Sequence, residues 1–249
     1  MISIKSKEDI KKIKESCRIL ATIMGEVKKA VEPGIKTCQL NRLAENLILK
    51  YKVKPAFKGY GGFPAAFCTS VNEEIVHAAP SERKLKEGDI ISLDGGVIYK
   101  EFYSDMAVTV PVGKIKPEIA RLLKVTKKSL KRGIKKVRPG NTFGDLSNTI
   151  GRYAEDQGFG IVRELCGHGI GKELHEDPQI LNYGKRHTGF KLKEGMCFCL
   201  EPMLTMEGEG IKKGKDGFTF ETDDGSISAH FEHTILVTEA GHEVLTSLK

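Results

Sequence analysis

"LDGGVIYKEFYSDMAVTV", residues 93–110, reads as two apolar strands folded back on each other. Two residues break the pattern: Asp94 and Asp105 sit among side chains that favour burial. A carboxylate in an apolar strand is costly unless it is paired or bound to a metal. If the turn is Tyr99-Lys100, residues 94 and 105 lie directly opposite. Opposed residues share a face, with Cβ atoms about 5 Å apart. The register depends on turn length, since Tyr-Lys is a poor type I′ sequence and Gly95-Gly96 offers a bulge. Two ionised carboxylates that close must share a proton or hold cations between them. The plainer alternative is a solvent-facing edge strand, where two Asp need no partner.

Four further segments weigh against the edge strand. "CGHGIGKELHEDP" places His168 among glycines, with His175 seven residues on. "GMCFCLEPML" puts Glu201 at the end of an apolar strand stopped by Pro202, and "SISAHFEHTILV" puts Glu232 among alternating apolar residues. "SVNEEIVHAAP" places His77 just after a strand. Each alone is weak, because a lone His or Glu near a strand is usually structural. Together, Asp94, Asp105, Glu201 and Glu232 all interrupt apolar strands. Four converging carboxylates need neutralising cations. With His168 they form a hard, oxygen-rich set that suits two divalent ions such as Mn²⁺, Fe²⁺, Co²⁺ or Zn²⁺. Two such ions about 3.5–4 Å apart hold a bridging hydroxide and polarise a carbonyl, which is machinery for hydrolysis. "GHGIG" lacks the Lys-Ser/Thr of a phosphate loop, and there is no GxSxG and no HExxH.

The rest of the chain supports an α+β fold. Ser6 with Asp9 makes a capping-box start, and Ile10, Ile13, Cys17, Leu20, Met24, Val27 and Val31 follow at helical spacing until Pro33-Gly34. Thr37 can cap a second helix carrying Leu40, Leu43, Leu47 and Ile48. After a Gly- and aromatic-rich loop and the hairpin, the pattern restarts. Pro117 opens a helix that runs to about Val137, and another carries Leu146, Ile150 and Tyr153. "VKKAVEPG" and "IKKVRPG" echo each other 106 residues apart. Two helices joined at Pro-Gly and followed by strands therefore occur twice. This predicts one domain, 1–249, built from related halves of about 1–112 and 113–249.

Composition narrows the class. The chain has 249 residues, 39% hydrophobic and 29% charged. No apolar run nears the roughly 18 residues of a membrane span, and the N-terminus has no apolar export core. Six cysteines without a CxxC pair read as reduced thiols of a cytoplasmic protein. Much of the +7 charge lies in "KVTKKSLKRGIKKVR", residues 124–138. Leu130, Ile134 and Val137 at helical spacing mark a solvated helix face; the sharper alternative is a patch for RNA or a ribosome surface.

The spacing from Asp94 to Asp105, then "GHGIG…HEDP", "EPM" and "FEHT", resembles type I methionine aminopeptidases from the first helix almost to the C-terminus. The resemblance implies the pita-bread (creatinase/aminopeptidase) fold, with pseudo-twofold αα-β halves around a curved antiparallel sheet. It implies removal of the initiator methionine from nascent chains by a monomeric enzyme, with a metal-bridging hydroxide as nucleophile. On the matching positions, Asp94 chelates one metal, Asp105 and Glu232 bridge both, and His168 and Glu201 complete the other. His175 stabilises the oxyanion, His77 contacts the scissile nitrogen, and Glu201 also shuttles a proton. Tyr60, Phe63, Cys68, Leu174 and Phe218, with His77 at the edge, match the methionine pocket; rings and a soft sulfur suit a thioether. A small residue after the methionine is likewise implied.

Several positions depart from the family pattern. "HAAPS" replaces the usual His-Gly-Ile-Pro, Phe218 stands where Trp is common, and His230 stands where Gln is usual, two residues before Glu232. These bear on efficiency and metal preference more than on reaction type. The nearest rivals are X-Pro peptidases, which share fold and ligands but usually carry a large extra N-terminal domain. A metal-free binding protein of the same fold would have lost ligands, and all five are present.

Overall fold

The computed structural model describes residues 2–248. Helix α1 spans Lys7–Lys29, and both halves of the capping box form: Ser6 Oγ accepts from the Asp9 N–H at 3.2 Å, and Asp9 Oδ2 accepts from the Ser6 N–H at 3.2 Å. Ile13, Cys17, Leu20, Met24 and Val27 are buried along one face, as their spacing predicts. Helix α2 is Thr37–Lys50. Thr37 is not its cap. Lys36 holds that place, with its N–H bonded to Gln39 Oε1 at 2.9 Å, while the Thr37 hydroxyl is taken by the Ser81 backbone. Helix α3 begins at Pro117 and ends at Ile134, short of Val137, and α4 is Phe143–Asp156.

The restart in the chain is visible in the backbone. Gly34 and Gly140, after their prolines, are both left-handed, at φ +93° and +91°. The bridge between Lys36 and Lys84 has a counterpart between Thr142 and Lys191. "KLKEG" at 84–88 recurs verbatim at 191–195, a repeat that the helix-based reading passed over. Gly88 and Gly195 turn alike, at φ +93° and +84°.

The hairpin strands are Ile90–Tyr99 and Phe102–Pro111. Their register corrects the expected one. The turn is Lys100-Glu101, both at positive φ (46° and 70°), so Asp94 pairs with Ala107 and Asp105 with Gly96. Positive φ at both central residues is the type I′ hairpin signature. The correction displaces the pairing by an even step, so Asp94 and Asp105 keep one face but become diagonal neighbours. There is no bulge at Gly95-Gly96, as ten pairs run unbroken. These glycines serve close packing instead. A Cβ at Gly95 would fall 2.4 Å from the Phe67 ring, and one at Gly96 would fall 2.7 Å from Ser104 O and 2.8 Å from Ala56 Cβ.

The inner hairpin strand also pairs with 54–55 and 67–71 along its other edge. In the second half, the strands order as 241–244, 233–238, 197–200, 167–169 and 176–180, all antiparallel. One apolar cluster joins α1 and α2 to the first sheet, and another joins α3 and α4 to the second. A third, with Ile13, Cys17, Phe102, Cys197 and Leu236, fills the space between the halves.

The strand 102–111 meets the second half edge-on. Thr234 Oγ1 donates to Asp105 O at 2.7 Å, the Glu232 N–H donates to Ala107 O at 2.9 Å, and the His230 N–H donates to Thr109 Oγ1 at 2.8 Å. Each contact steps two residues up one strand and two down the other. Gly96 lies beside this seam with no space for a side chain. Gly96→Ala should therefore lower stability by about 1–3 kcal/mol through overpacking, read as a lower urea midpoint at unchanged m.

Candidate metal centre and active site

A cavity of about 610 Å³ opens between the halves. All twelve site residues expected from the sequence line it: Asp94, Asp105, His168, Glu201 and Glu232, then His77 and His175, then Tyr60, Phe63, Cys68, Leu174 and Phe218. Asp94 and Asp105 come from the hairpin, His168 from strand 167–169, Glu201 from the end of strand 197–200, and Glu232 from the link between 228–230 and 233–238. The edge-strand alternative fails, because Asp94, Asp105 and Glu232 are all nearly fully buried.

The acid cluster is electrostatically uncomfortable without cations. Burial pushes the Asp94 carboxyl up to about 6, with nearby His230 pulling the other way. Asp105 is raised well above its usual range, first by burial and then by Glu232, Asp94 and Glu201. Glu201 and Glu232 are raised for the same reasons. Asp94 Oδ1, Asp105 Oδ1 and Glu232 Oε1 are buried with no hydrogen-bond partner. Orphaned carboxylate oxygens converging in a cavity fit a divalent cation.

The imidazole is poised for the same task. His168 Nδ1 lies 2.9 Å from Gly169 O, so the proton sits there and Nε2 turns its lone pair to the acids. Nε2 is 3.5 Å from Glu201 Oε1 and 3.8 Å from Asp105 Oδ2. Burial lowers this ring to about 4, keeping it neutral. Asp105, His168, Cys199 and Glu232 each place one donor atom within 4.8 Å of the others. Cys199 sits behind this group rather than in the cavity, within the apolar cluster between the halves, with its Sγ 3.6 Å from Thr234 Oγ1.

The far end of the cavity is apolar. Phe63 and Phe218 meet edge-to-face at 5.6 Å, and Cys68 and Leu174 are buried beside them. His175 and His77 line the same cavity. Tyr60 OH is 2.8 Å from His175 Nδ1, and the His175 ring is 4.4 Å from that of His168. His77 sits at φ +60°, an unusual conformation for a residue with a side chain. Both residues are exposed to the open cavity, and the atoms crowded around each ring partly desolvate it. This lowers His77 to about 4, with help from His230, His175 and Lys213, and lowers His175 as well.

This set of acids and histidines has relatives. The model of metallopeptidase family M24 matches residues 11–239. The chain belongs to that family. A methionine aminopeptidase of Clostridium acetobutylicum is 45% identical over 247 residues, 99% of each chain. The crystal structure of a methionine aminopeptidase from Thermotoga maritima aligns at a TM-score of 0.98 and 45% identity, over 100% of both chains. A prolidase from Pyrococcus furiosus aligns at 0.81 over 99% of this chain and 66% of its own, at 24% identity, which shows shared fold alone. The architecture is the pita-bread fold of family M24.

The buried acids set the stability of the metal-free protein. Their folded pKa values lie above the unfolded ones near 4. The contribution of Asp94 is therefore full below about pH 4 and is lost as pH rises from there through about 6, where the folded carboxyl loses its proton. At neutral pH, Asp105→Asn should stabilise the metal-stripped protein by about 1 kcal/mol, the scale of one pKa unit. The same change should abolish the rise in melting temperature on adding Mn²⁺ or Co²⁺. Calorimetry with and without chelator checks both signs.

Proposed function

We propose that this chain hydrolyses the first peptide bond of polypeptides that begin with methionine. One observation carries the reading: a cluster of four carboxylates and one imidazole, three of the acids buried, shares a single cavity with an apolar aromatic pocket. The near full-length 45% identity to a methionine aminopeptidase supports it. The working unit is the single domain 1–249, with halves near 1–112 and 113–249.

Asp94, Asp105, His168, Glu201 and Glu232 would hold two divalent ions, Co, Mn, Fe or Zn. When bound, such ions supply Lewis acidity and activate water at neutral pH. The chain does the rest. The methionine side chain enters the pocket against the paired rings of Phe63 and Phe218 and beside Cys68, Leu174 and Tyr60, where the thioether meets aromatic carbon and sulfur. With Tyr60 OH donating to His175 Nδ1, the His175 proton sits on Nε2 and is offered to the scissile carbonyl oxygen. His77, neutral and held by its strained backbone, contacts the scissile nitrogen. Glu201 would take the proton of the attacking water and pass it to the leaving amine.

Met-Gly and Met-Ala peptides should be cleaved, and X-Pro peptides should not. Chelator should stop the reaction, with Mn²⁺, Fe²⁺ or Co²⁺ restoring it. Asp105→Ala or His168→Ala should cost at least about 10³-fold in turnover, while circular dichroism shows an intact fold. X-Pro cleavage, or activity indifferent to chelator, would overturn the assignment.

The cellular reading is a cytoplasmic monomer acting on nascent chains. Among the described residues no helix is long and apolar enough to cross a membrane. Lys124, Lys127, Lys128, Lys131, Arg132, Lys135 and Lys136 all face solvent on and just after α3, while Leu130 and Ile134 face the core. Part of this charge has local work, since Arg132 lies 4.3 Å over the Tyr153 ring. The remainder reads first as a solvated helix face and second as a patch that meets the ribosome surface. Reversing Lys124, Lys127 and Lys131 to Glu should reduce co-sedimentation with ribosomes at low salt; unchanged co-sedimentation would remove this partner.

A further inference from the structure

His230 is given no work by the site described above, and its position calls for some. It is 1% exposed, and neither ring nitrogen has a partner. A neutral imidazole always carries one donor and one acceptor, so two silent nitrogens in a buried ring are an anomaly. The backbone gives the ring no escape. The His230 N–H donates to Thr109 Oγ1 at 2.8 Å, and the same hydroxyl donates back to His230 O at 2.7 Å. The side chain lines the cavity that holds the acids.

The decisive measurement is the distance to Glu201. His230 Nε2 lies 3.5 Å from Glu201 Oε2, and His168 Nε2 lies 3.5 Å from Glu201 Oε1. One carboxylate thus stands between two imidazoles at matched spacing. A charge-assisted hydrogen bond would be about 2.7–2.9 Å, so 3.5 Å is too long for one. Two donor atoms at about 2.0–2.2 Å from a shared ion, at a tetrahedral angle, stand about 3.3–3.6 Å apart. The spacing is that of ligands around an ion.

We propose that His230 is a further metal ligand, binding through Nε2 to an ion it shares with Glu201. The proposal rests on the metal-centre reading and extends it. A second imidazole makes the set more nitrogen-rich, which favours Zn²⁺, Fe²⁺ and Co²⁺ over Mn²⁺.

The test is proton NMR of the full-length protein loaded with two equivalents of Co²⁺. An imidazole bound through Nε2 shows its Nδ1 proton as a strongly shifted, exchangeable signal. Two such signals are expected, one from His168 and one from His230, and His230→Gln should remove one. X-ray absorption of the unmodified Co²⁺ protein needs no variant. It should show one imidazole per ion on average, against half that if His168 acts alone. Competition with a metal indicator should show His230→Gln binding Co²⁺ at least about tenfold more weakly, a loss that Mn²⁺ shows less. Two bound Co²⁺ with only the His168 signal would overturn the role of His230 and leave the centre standing. No Co²⁺ uptake at all would overturn the centre, and this proposal with it.

Discussion

Everything in this molecule turns on the seam between strand 102–111 and residues 230–234. Backbone pairing alone does not close it. Thr234 and Thr109 stand in as hydroxyl bridges, so main chain is tied to side chain at Asp105 and His230 and to main chain at Ala107. The seam draws Asp105 of the first half against Glu232 of the second. Both halves are needed before any cation site exists, and α1, which packs its Ile13 and Cys17 into the cluster between them, reaches across the join.

The same seam sets the electrostatics. Bringing four carboxylates into one low-dielectric cleft opposes folding, and the packing around them has to carry that cost until cations arrive. The surroundings fit that need. Gly95 and Gly96 let the Phe67 ring and the Ala56 methyl press directly on the hairpin backbone. Ser92 and Thr109 join hydroxyls at 2.7 Å beneath it. A tightly packed strand holds its acids in place whether or not a partner is present.

Much of this was legible in the sequence, for identifiable reasons. Carboxylates that interrupt apolar strands are conspicuous, so Asp94, Asp105, Glu201 and Glu232 could be singled out one by one; only the structure brings them into one cavity. The capping box at Ser6 and the proline opening α3 are local signals and survive folding. The hairpin register was not legible, because the turn uses Lys100 and Glu101 at positive φ, where Asn or Gly would have announced it. Thr37 looked like a cap, but its hydroxyl serves a distant loop at Ser81.

The location of the acids has a consequence for the life of the chain. Asp94 and Asp105 leave the site of synthesis long before Glu201 and Glu232, and the cleft forms only when the last strands lie against the first hairpin. A half-made chain carries the aspartates but not the second wall of the cavity. The acid cluster therefore stays incomplete until residues 230–234 have met the hairpin, and a single seam serves as both the keystone of the fold and its safety catch.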